Sequence, residues 1–406
     1  MREKNIHLLQ TAILIAGCVL VVFFLIPTPG TGNMDTWVNW ANQANELGLA
    51  EDYRINHDTY PPLTLLILFF VGKISHWFNL WIYTTIKFTI ALFLLLSFVI
   101  TLWVTRNAFL SLIMMTALLI NSVGLGHLDI FFAPVLILSL WSLKERRLVL
   151  FTITFCLSFL FKWQPLIIGP FIALYIIKIK NIKDWRDIEF GNIAKTVILP
   201  AAVILGLVFL SFGAKPVITA FIYGTDHHYL SGNALNMSWV LTHFLHVIKP
   251  ETFGPLVNGQ ADLIKGPPDS IKILPRLLFM LFYVVTLVFF LKREKSFCNL
   301  LVYSLLGYWA YFTLNTGVHE NHLFLGMLLA IMLFWVNKEY LIPMLLLILI
   351  GNFNLIVFNG IDGIENQFSR VFMGIDLALV ISFFNIASFI IIWLIHALPK
   401  RHGFPK

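Results

Sequence analysis

Short polar motifs interrupt an apolar sequence at five places, and their residue types suit acid–base and phosphate chemistry. A carboxylate, Asp35, follows the first apolar run, and an aromatic residue with two prolines comes at 60–62. Three further motifs are Gly-His-Leu-Asp at 126–129, Lys-Trp-Gln-Pro at 162–165 and His-Glu-Asn-His at 319–322. A carboxylate can take a proton from a hydroxyl group, and Lys and His can stabilise an anionic leaving group. These residues are therefore the candidates for a functional site.

The composition indicates that these motifs belong to a membrane protein. Of the 406 residues, 59% are hydrophobic and only 12% are charged, and the mean hydropathy is +0.84. Soluble domains carry about 25% charged residues. Apolar stretches of about 15 to 25 residues, which as helices cross a hydrocarbon core, alternate with short charged runs. We therefore predict an all-α integral membrane protein, a multi-helix transmembrane bundle formed by a single domain over residues 1–406.

The charged runs predict how the chain is oriented. More than half of the Lys and Arg residues lie in six short segments that the positive-inside rule assigns to the cytoplasm, namely 1–4, 144–147, 178–189, 292–295, 338–339 and 400–406. The first apolar run is retained as a helix, so both termini are cytoplasmic. An even number of crossings must separate the cytoplasmic segments 1–4 and 144–147, but the number of apolar stretches between them is odd. We therefore predict about 12 crossings, with 61–78 re-entrant or interfacial.

Two predicted outer loops, 28–60 and 213–270, are long enough to carry function. In the first loop, apolar and aromatic residues recur at helical spacing from Asp35 to Gly48, which is typical of an amphipathic helix. Such a helix lies at the bilayer surface with its tryptophans at the interface. The carboxylate of Asp35 would then be held at membrane level.

The order of the motifs resembles that of the GT-C superfamily of polytopic glycosyltransferases, especially its mannosyltransferase-like branches. The resemblance extends from Met34 to about His322 and depends on the ordered set. It implies a GT-C-like fold and the transfer, with inversion, of a hexose such as mannose or glucose from a polyprenyl-phosphate donor. The acceptor is a hydroxyl group of a glycan, lipid or protein on the outer or lumenal face. The essential acidic residue of the family corresponds to Asp35.

The resemblance and the residue chemistry together suggest a role for each candidate. Asp35 is the expected catalytic base. The candidates for binding the donor phosphate are Lys162, His127, His319 and Arg276. Substrate contacts or structural support are expected from Asp58, Tyr60, Asp129, Gln164, Glu320 and His322. The alternative for these residues is a structural role, as helix caps, as a lysine that reaches the interface, or as a hydrogen-bonded cluster.

Cofactors and partners follow from the same pattern. No metal ligands are assigned, because the close His and Glu residues of 319–322 suit a hydrogen-bonded cluster better, and a divalent cation is left open as a cofactor. The partners are the lipid-linked donor, the acceptor and membrane lipids. Nucleic acid is not expected, because the basic residues lie at helix ends. A bacterial cytoplasmic membrane, with the site on the outer face, is the expected location.

Other classes of membrane protein remain open. They are a polytopic transporter or lipid-linked glycan flippase, a glycan polymerase or ligase, and a noncatalytic subunit with the family fold. The motifs gather at outer helix ends rather than at the midplane, and the outer loops are poor in arginine, which favours a glycosyltransferase. The sequence has no Gly-x-x-x-x-Gly-Lys motif and no Asp-x-Asp triplet, which argues against a cytoplasmic nucleotide-sugar donor.

Overall fold

The computed structural model of the chain describes residues 16–17, 19–56, 59–178, 188–225, 228–364 and 369–397. The fold is almost entirely α-helical. Its α-helices are α1 Asn33–Leu47, α2 Leu49–Asn56, α3 Pro62–Trp77, α4 Ile82–Thr105, α5 Ala108–Leu119, α6 Ala133–Lys144, α7 Leu148–Phe161, α8 Gly169–Ile177, α9 Phe190–Ile193, α10 Leu199–Phe212, α11 Ala214–Thr225, α12 Met237–Ile248, α13 Pro250–Phe253, α14 Asp269–Lys292, α15 Phe297–Leu314, α16 Phe324–Val336, α17 Leu341–Asn359 and α18 Leu377–Ala397.

Shorter elements connect or extend these helices. Two π-helical turns are Ile120–Gly124 and Ala194–Ile198. The 3₁₀ turns are Leu128–Phe131, Gln164–Ile168, Glu320–Leu323 and Lys338–Tyr340. Two strands, β1 Val371–Phe372 and β2 Ile375–Asp376, pair antiparallel in a hairpin.

Six of the described helices are long and apolar enough to cross a membrane. They are Ile82–Thr105, Phe190–Phe212, Asp269–Lys292, Phe297–Leu314, Lys338–Asn359 and Leu377–His396. Shorter apolar helices span Pro62–Trp77, Ala108–Gly124, Leu148–Phe161, Gln164–Ile177, Met237–Ile248 and Glu320–Val336. The prediction of a helical protein with several helices long and apolar enough to cross a membrane is confirmed, whereas the crossings themselves and their number stay a prediction.

The chain folds into two compact units. The first contains the described residues of Met1–Pro165, Phe190–Asp226 and Leu355–Phe368. The second contains those of Leu166–Glu189, His227–Asn354 and Ser369–Lys406.

In the first unit, the predicted amphipathic helix is present as α1. It ends where Gly48 adopts a φ of +88° and its N–H bonds to the Ala44 carbonyl, as a helix-terminating glycine does. This helix packs against α3, and the two approach closely at Gly72, where an added Cβ would lie 2.9 Å from the Ala41 carbonyl oxygen. Trp37 differs from the expectation of an interfacial ring, because it is buried within the protein.

Two predicted helix starts are wrong. The apolar runs near 127–143 and 371–395 each predict one continuous helix, but α6 begins only at Ala133, after the 3₁₀ turn. The stretch from 371 begins as the β-hairpin, because Met373 and Gly374 at its tip both adopt positive φ, and α18 starts at Leu377. In both cases a local turn replaces the first helical turns.

The described part of the second predicted outer loop, 213–270, contains three helices. Residues 214–225 form α11 in the first unit, and α12 and α13 lie in the second. The start of α12 is fixed by Asn236, whose side-chain oxygen accepts a hydrogen bond from the Trp239 N–H at 3.0 Å. A side-chain cap of this kind stabilises a helix start.

Candidate functional site

Three of the predicted motifs meet at the Lys162 side chain in the first unit. Its Nζ donates to the Tyr60 hydroxyl at 2.6 Å and lies 3.6 Å from Asp129 Oδ1. Asp129 is fully buried, and Lys162 is 8% exposed. Charges are costly to bury unless they are paired and hydrogen-bonded. The Lys162–Asp129 pair therefore forms a buried charged link between motifs that are distant in the sequence.

Asp129 reaches this position because the chain leaves α5 through an irregular turn. The helix ends in the π-helical turn Ile120–Gly124, and such turns are frequent at functional sites. Gly126 then adopts a φ of +76°, and a Cβ there would lie 2.3 Å from the sulfur of Met34. Both the backbone angle and the close contact therefore require glycine at this position.

An aromatic cluster joins Tyr60 to α1. The rings of Trp37 and Trp40 lie edge-to-face with Tyr60, at centroid distances of 5.2 and 5.5 Å. The indole N–H of Trp37 also donates to the Gly126 carbonyl at 3.1 Å. These contacts connect α1, the turn before α3 and the Gly126–Asp129 segment in one group.

Asp35 lies in the first turn of α1, two residues before Trp37, and is exposed. A carboxylate is favoured in this position by the helix dipole. No hydrogen bond or ion pair engages it within the part of the chain that the structure describes, although its charge acts on Tyr83 at the start of α4. The carboxylate is therefore accessible to a ligand from outside the protein.

The protonation states of two site residues follow from their surroundings. Burial, together with the charges of Lys162 and Lys87, lowers the pKa of His127 to about 3. His127 is therefore uncharged at neutral pH. Burial alone would lower the pKa of Lys162, but the Asp129 carboxylate and the Tyr60 hydroxyl together raise it above the ordinary lysine value. Lys162 therefore keeps its positive charge.

Lys87 is a site residue that the sequence reasoning missed. It is fully buried in α4, and its Nζ donates to the carbonyls of Val123 and Gly124 at 2.6 and 3.0 Å and to the Thr28 hydroxyl at 3.3 Å. Through these bonds it holds the chain before α1 against the π-helical turn. A lone lysine inside an apolar helix is a signal that could have identified it.

Two buried amides lie on the same motifs. Asn121 in the π-helical turn is fully buried, and Gln164, a predicted site residue, is 5% exposed. Among the described residues, neither amide has a hydrogen-bond partner for its nitrogen or its oxygen. An unsatisfied buried polar group costs about 1 to 3 kcal/mol and calls for a water molecule or a ligand. Asn121 was missed, because an asparagine in an apolar run has no distinctive sequence pattern.

The fifth predicted motif lies in the second unit, where His322 organises a tight turn. Its Nδ1 lies 3.1 Å from the Tyr311 hydroxyl, and its carbonyl accepts a hydrogen bond from Tyr308. His319 Nδ1 is 3.9 Å from Glu320 Oε2. Whether this motif and Asp35 belong to one site with the Lys162 cluster stays a prediction.

Two residues support this turn from other parts of the second unit. Arg276 of α14 donates from Nε to the Thr316 hydroxyl at 2.9 Å, three residues before His319. Asn354 of α17, which sequence reasoning missed, donates to the carbonyls of Glu320 and Asn233, both at 3.1 Å. The predicted residue Asp58 lies outside the described residues.

Within the described residues, no group of three or more His, Cys, Asp or Glu side chains could hold a metal ion. His319, Glu320 and His322 instead belong to the hydrogen-bonded turn.

No known protein-family model matches the chain, and no curated protein matches it significantly. The fold and the site still define a class of protein. The chain is an α-helical protein with helices suited to a membrane, and its first unit holds a buried cluster of charged and aromatic residues beside an exposed carboxylate.

Proposed function

We propose that the protein is a membrane glycosyltransferase that transfers a hexose, mannose or glucose, from a polyprenyl-phosphate donor to an acceptor hydroxyl on the outer or lumenal face. One observation carries the proposal. Three motifs whose order resembles the GT-C superfamily meet at Lys162 in the first unit, and ring contacts of Tyr60 join them to α1, the helix that carries Asp35.

Asp35 is the general base in this proposal. The acceptor hydroxyl gives its proton to the carboxylate while its oxygen forms a bond to the anomeric carbon. The bond between that carbon and the phosphate oxygen breaks, and polyprenyl phosphate leaves with the electron pair. Attack opposite the leaving group inverts the anomeric centre. The exposed position of Asp35 on α1 supports this role, because an acceptor can reach it.

Lys162 stabilises the departing phosphate. An ammonium group has three N–H donors, and Tyr60 and Asp129 engage two of them. The third is available for a phosphate oxygen, with which it forms a charge-assisted hydrogen bond. The amides of Gln164 and Asn121 can donate to and accept from sugar hydroxyls, which accounts for their unsatisfied atoms.

An apolar groove in the same unit suits the polyprenyl chain. It has a volume of about 620 Å³ and lies between α3 and α4, where Ile74, Trp81, Phe88 and Leu92 line it. These side chains are exposed, as expected for a surface that faces lipid. The Trp81 ring stacks on Tyr83, the residue on which the charge of Asp35 acts. The proposal places the polyprenyl chain in this groove.

Transfer of radiolabelled sugar by the purified full-length protein in nanodiscs tests the proposal. A panel of polyprenyl-phosphate hexoses serves as donors, and both transfer and release of free sugar are measured. Asp35→Asn is expected to reduce the rate by about 10²- to 10⁴-fold, the usual contribution of a general base. Glu46→Gln is the matched control, because Glu46 is another exposed carboxylate on α1 and is expected to leave the rate unchanged.

The outcomes separate the function from the assignment of the base. Equal rates for the wild type and Asp35→Asn would contradict the role of Asp35 and leave the function intact. If the folded wild type acts on no donor but moves a lipid or a solute across a bilayer, the protein is a transporter instead. Thermal melting of each variant shows whether it is folded.

A further inference from the structure

A second cavity in the first unit has a composition that none of the site chemistry above explains. It has a volume of about 570 Å³ and lies where α7 begins, facing the segment that leads into α10. Its lining includes two arginines, two polar residues and an apolar wall, namely Arg146, Arg147, Asn192, Thr196, Val149 and Ile153. None of the lining residues is acidic.

The positive charge of this cavity is uncompensated within the described part of the chain. Both guanidinium groups are exposed, and no carboxylate among the described residues pairs with either. The neighbouring Lys144 and Glu145 pair with each other at 3.2 Å and so cancel. The Arg147 guanidinium also lies over the ring of Trp141, with its central carbon 4.9 Å from the ring centroid, which holds this charge beside the cavity. The cavity is therefore suited to an anion.

The apolar wall shows which kind of anion fits. Val149 and Ile153 are one helical turn apart on α7 and are 46% and 38% exposed. Ile198 and Leu199, at the junction that leads into α10, are also exposed apolar residues. A small inorganic anion has no apolar part that could pack against this wall. A phospholipid provides a charged headgroup for the arginines and an acyl chain for the apolar residues.

Hydrogen bonds hold the two sides of the cavity together. The Thr152 hydroxyl of α7 donates to the Thr196 carbonyl in the π-helical turn at 3.1 Å, and the Thr196 hydroxyl donates to the Asn192 carbonyl at 2.7 Å. The cavity is thus formed by fixed elements rather than by a chance gap between side chains.

We propose that this cavity binds the headgroup of an anionic phospholipid. The phosphate binds Arg146 and Arg147, the headgroup hydroxyls face Thr196, and one acyl chain lies along Val149 and Ile153. Basic pockets between helices at the membrane surface suit such lipids, because each arginine near the surface adds to the attraction. The inference uses no residue of the proposed catalytic site.

Native mass spectrometry of the full-length protein tests the inference. The protein is equilibrated in detergent with equal amounts of phosphatidylglycerol and phosphatidylcholine, and the retained lipids are counted. The wild type is expected to retain phosphatidylglycerol about tenfold more often. The double variant Arg146→Gln with Arg147→Gln is expected to lose this preference. Arg106→Gln is the matched control, because this exposed arginine ends α4 and does not line the cavity.

A second variant separates a lipid from a free phosphate and does not depend on the arginines. Ile153→Trp fills the apolar wall and keeps both charges, so phosphatidylglycerol retention is expected to fall while folding is unchanged. No preference in the wild type, or full preference in the double variant, would overturn the inference. Inorganic phosphate is then added to the wild type and to Ile153→Trp. If it displaces the lipid equally well from both proteins, the apolar wall does not contribute to binding and the inference is overturned.

Discussion

Two ion pairs in the first unit have the same chemistry and opposite surroundings. Lys162 and Asp129 are buried, whereas the side chains of Lys144 and Glu145 are 37% and 43% exposed. In water, the attraction between two charges is weak, and an exposed pair contributes about 0 to 1 kcal/mol. When a buried charge loses its partner, no water is present to take the place of that partner. The two pairs should therefore respond very differently to the loss of one charge.

Asp129→Asn is expected to destabilise the protein by about 3 to 5 kcal/mol, because it leaves the Lys162 ammonium buried without its partner. Adding Lys162→Met to this variant should recover much of the loss, since it removes the unpaired charge. The measurement is the unfolding midpoint in a denaturant titration of the protein in detergent.

The exposed pair supplies the control for this experiment. Glu145→Gln is expected to change the unfolding free energy by less than about 1 kcal/mol. If Asp129→Asn has an equally small effect, the buried pair is not the structural link that its geometry indicates.

At the scale of single residues, the sequence predicted part of the cluster around Lys162. Tyr60, Asp129 and Lys162 stand in short polar motifs at helix ends, where a pattern is visible. Lys87 and Asn121 are isolated polar residues inside apolar runs. A lone lysine in an apolar helix is itself a signal, but its partners, the Val123 and Gly124 carbonyls, are brought to it by packing and cannot be identified from the local sequence.

At the scale of elements, helix packing depends on glycines that look alike in the sequence. Gly72 in α3 faces α1, and an added Cβ would lie 1.8 Å from Asn45 Nδ2 and 2.9 Å from the Ala41 carbonyl oxygen. Gly206 in α10 has no atom within 4 Å of that position. The amide of Asn45 can move aside, but the backbone of α1 cannot without separating the helices.

Gly72→Ala is therefore expected to lower the thermal midpoint and the stability, by about 1 to 3 kcal/mol, as overpacking does. Gly206→Ala places the same methyl group in open space and gains helix propensity, so it should be neutral or stabilising by up to about 1 kcal/mol. Thermal melting of both variants in the same detergent measures the difference. Equal midpoints would show that α1 and α3 are not closely packed at Gly72.

Most helices were predictable as elements, because apolar runs of sufficient length are strong signals. The predicted stretch near 297–315, for example, agrees with α15, Phe297–Leu314. The errors fall where a turn begins an apolar run, as at the β-hairpin before Leu377. Strand residues there are as apolar as the helix that follows, so hydrophobicity alone cannot separate them.

At the scale of the whole first unit, the question is whether α3 crosses the membrane. The Tyr83 hydroxyl, just after α3, donates to the Thr28 carbonyl at 3.1 Å, and Thr28 precedes α1. At the other end of α3, Tyr60 contacts Trp37 and Trp40 of α1. Residues on both sides of α3, Tyr60 before it and Tyr83 in the first turn of α4, therefore contact the first predicted outer loop, which favours a helix that does not cross.

Single cysteines in a cysteine-free variant test this arrangement with a membrane-impermeant maleimide on intact cells. Cysteines in place of Glu46, on α1, and Leu80, after α3, are expected to react from the outside. A cysteine in place of Glu145, in a predicted cytoplasmic segment, is expected to react only after the membrane is opened. If the Leu80 position reacts together with the Glu145 position, α3 crosses and the predicted count of crossings changes.

Lys87 has a consequence for biosynthesis. The ribosome makes α4 before the residues whose carbonyls will accept the hydrogen bonds of this ammonium group in the finished protein. A lysine at the centre of a newly inserted helix costs about 2.5 to 3.5 kcal/mol at the translocon, and less near a helix end. The apolar remainder of α4 outweighs this cost, and two of the three hydrogen-bond acceptors of Lys87 are made only with the π-helical turn after α5. Insertion of the nascent chain should therefore proceed with α4 and α5 as a hairpin.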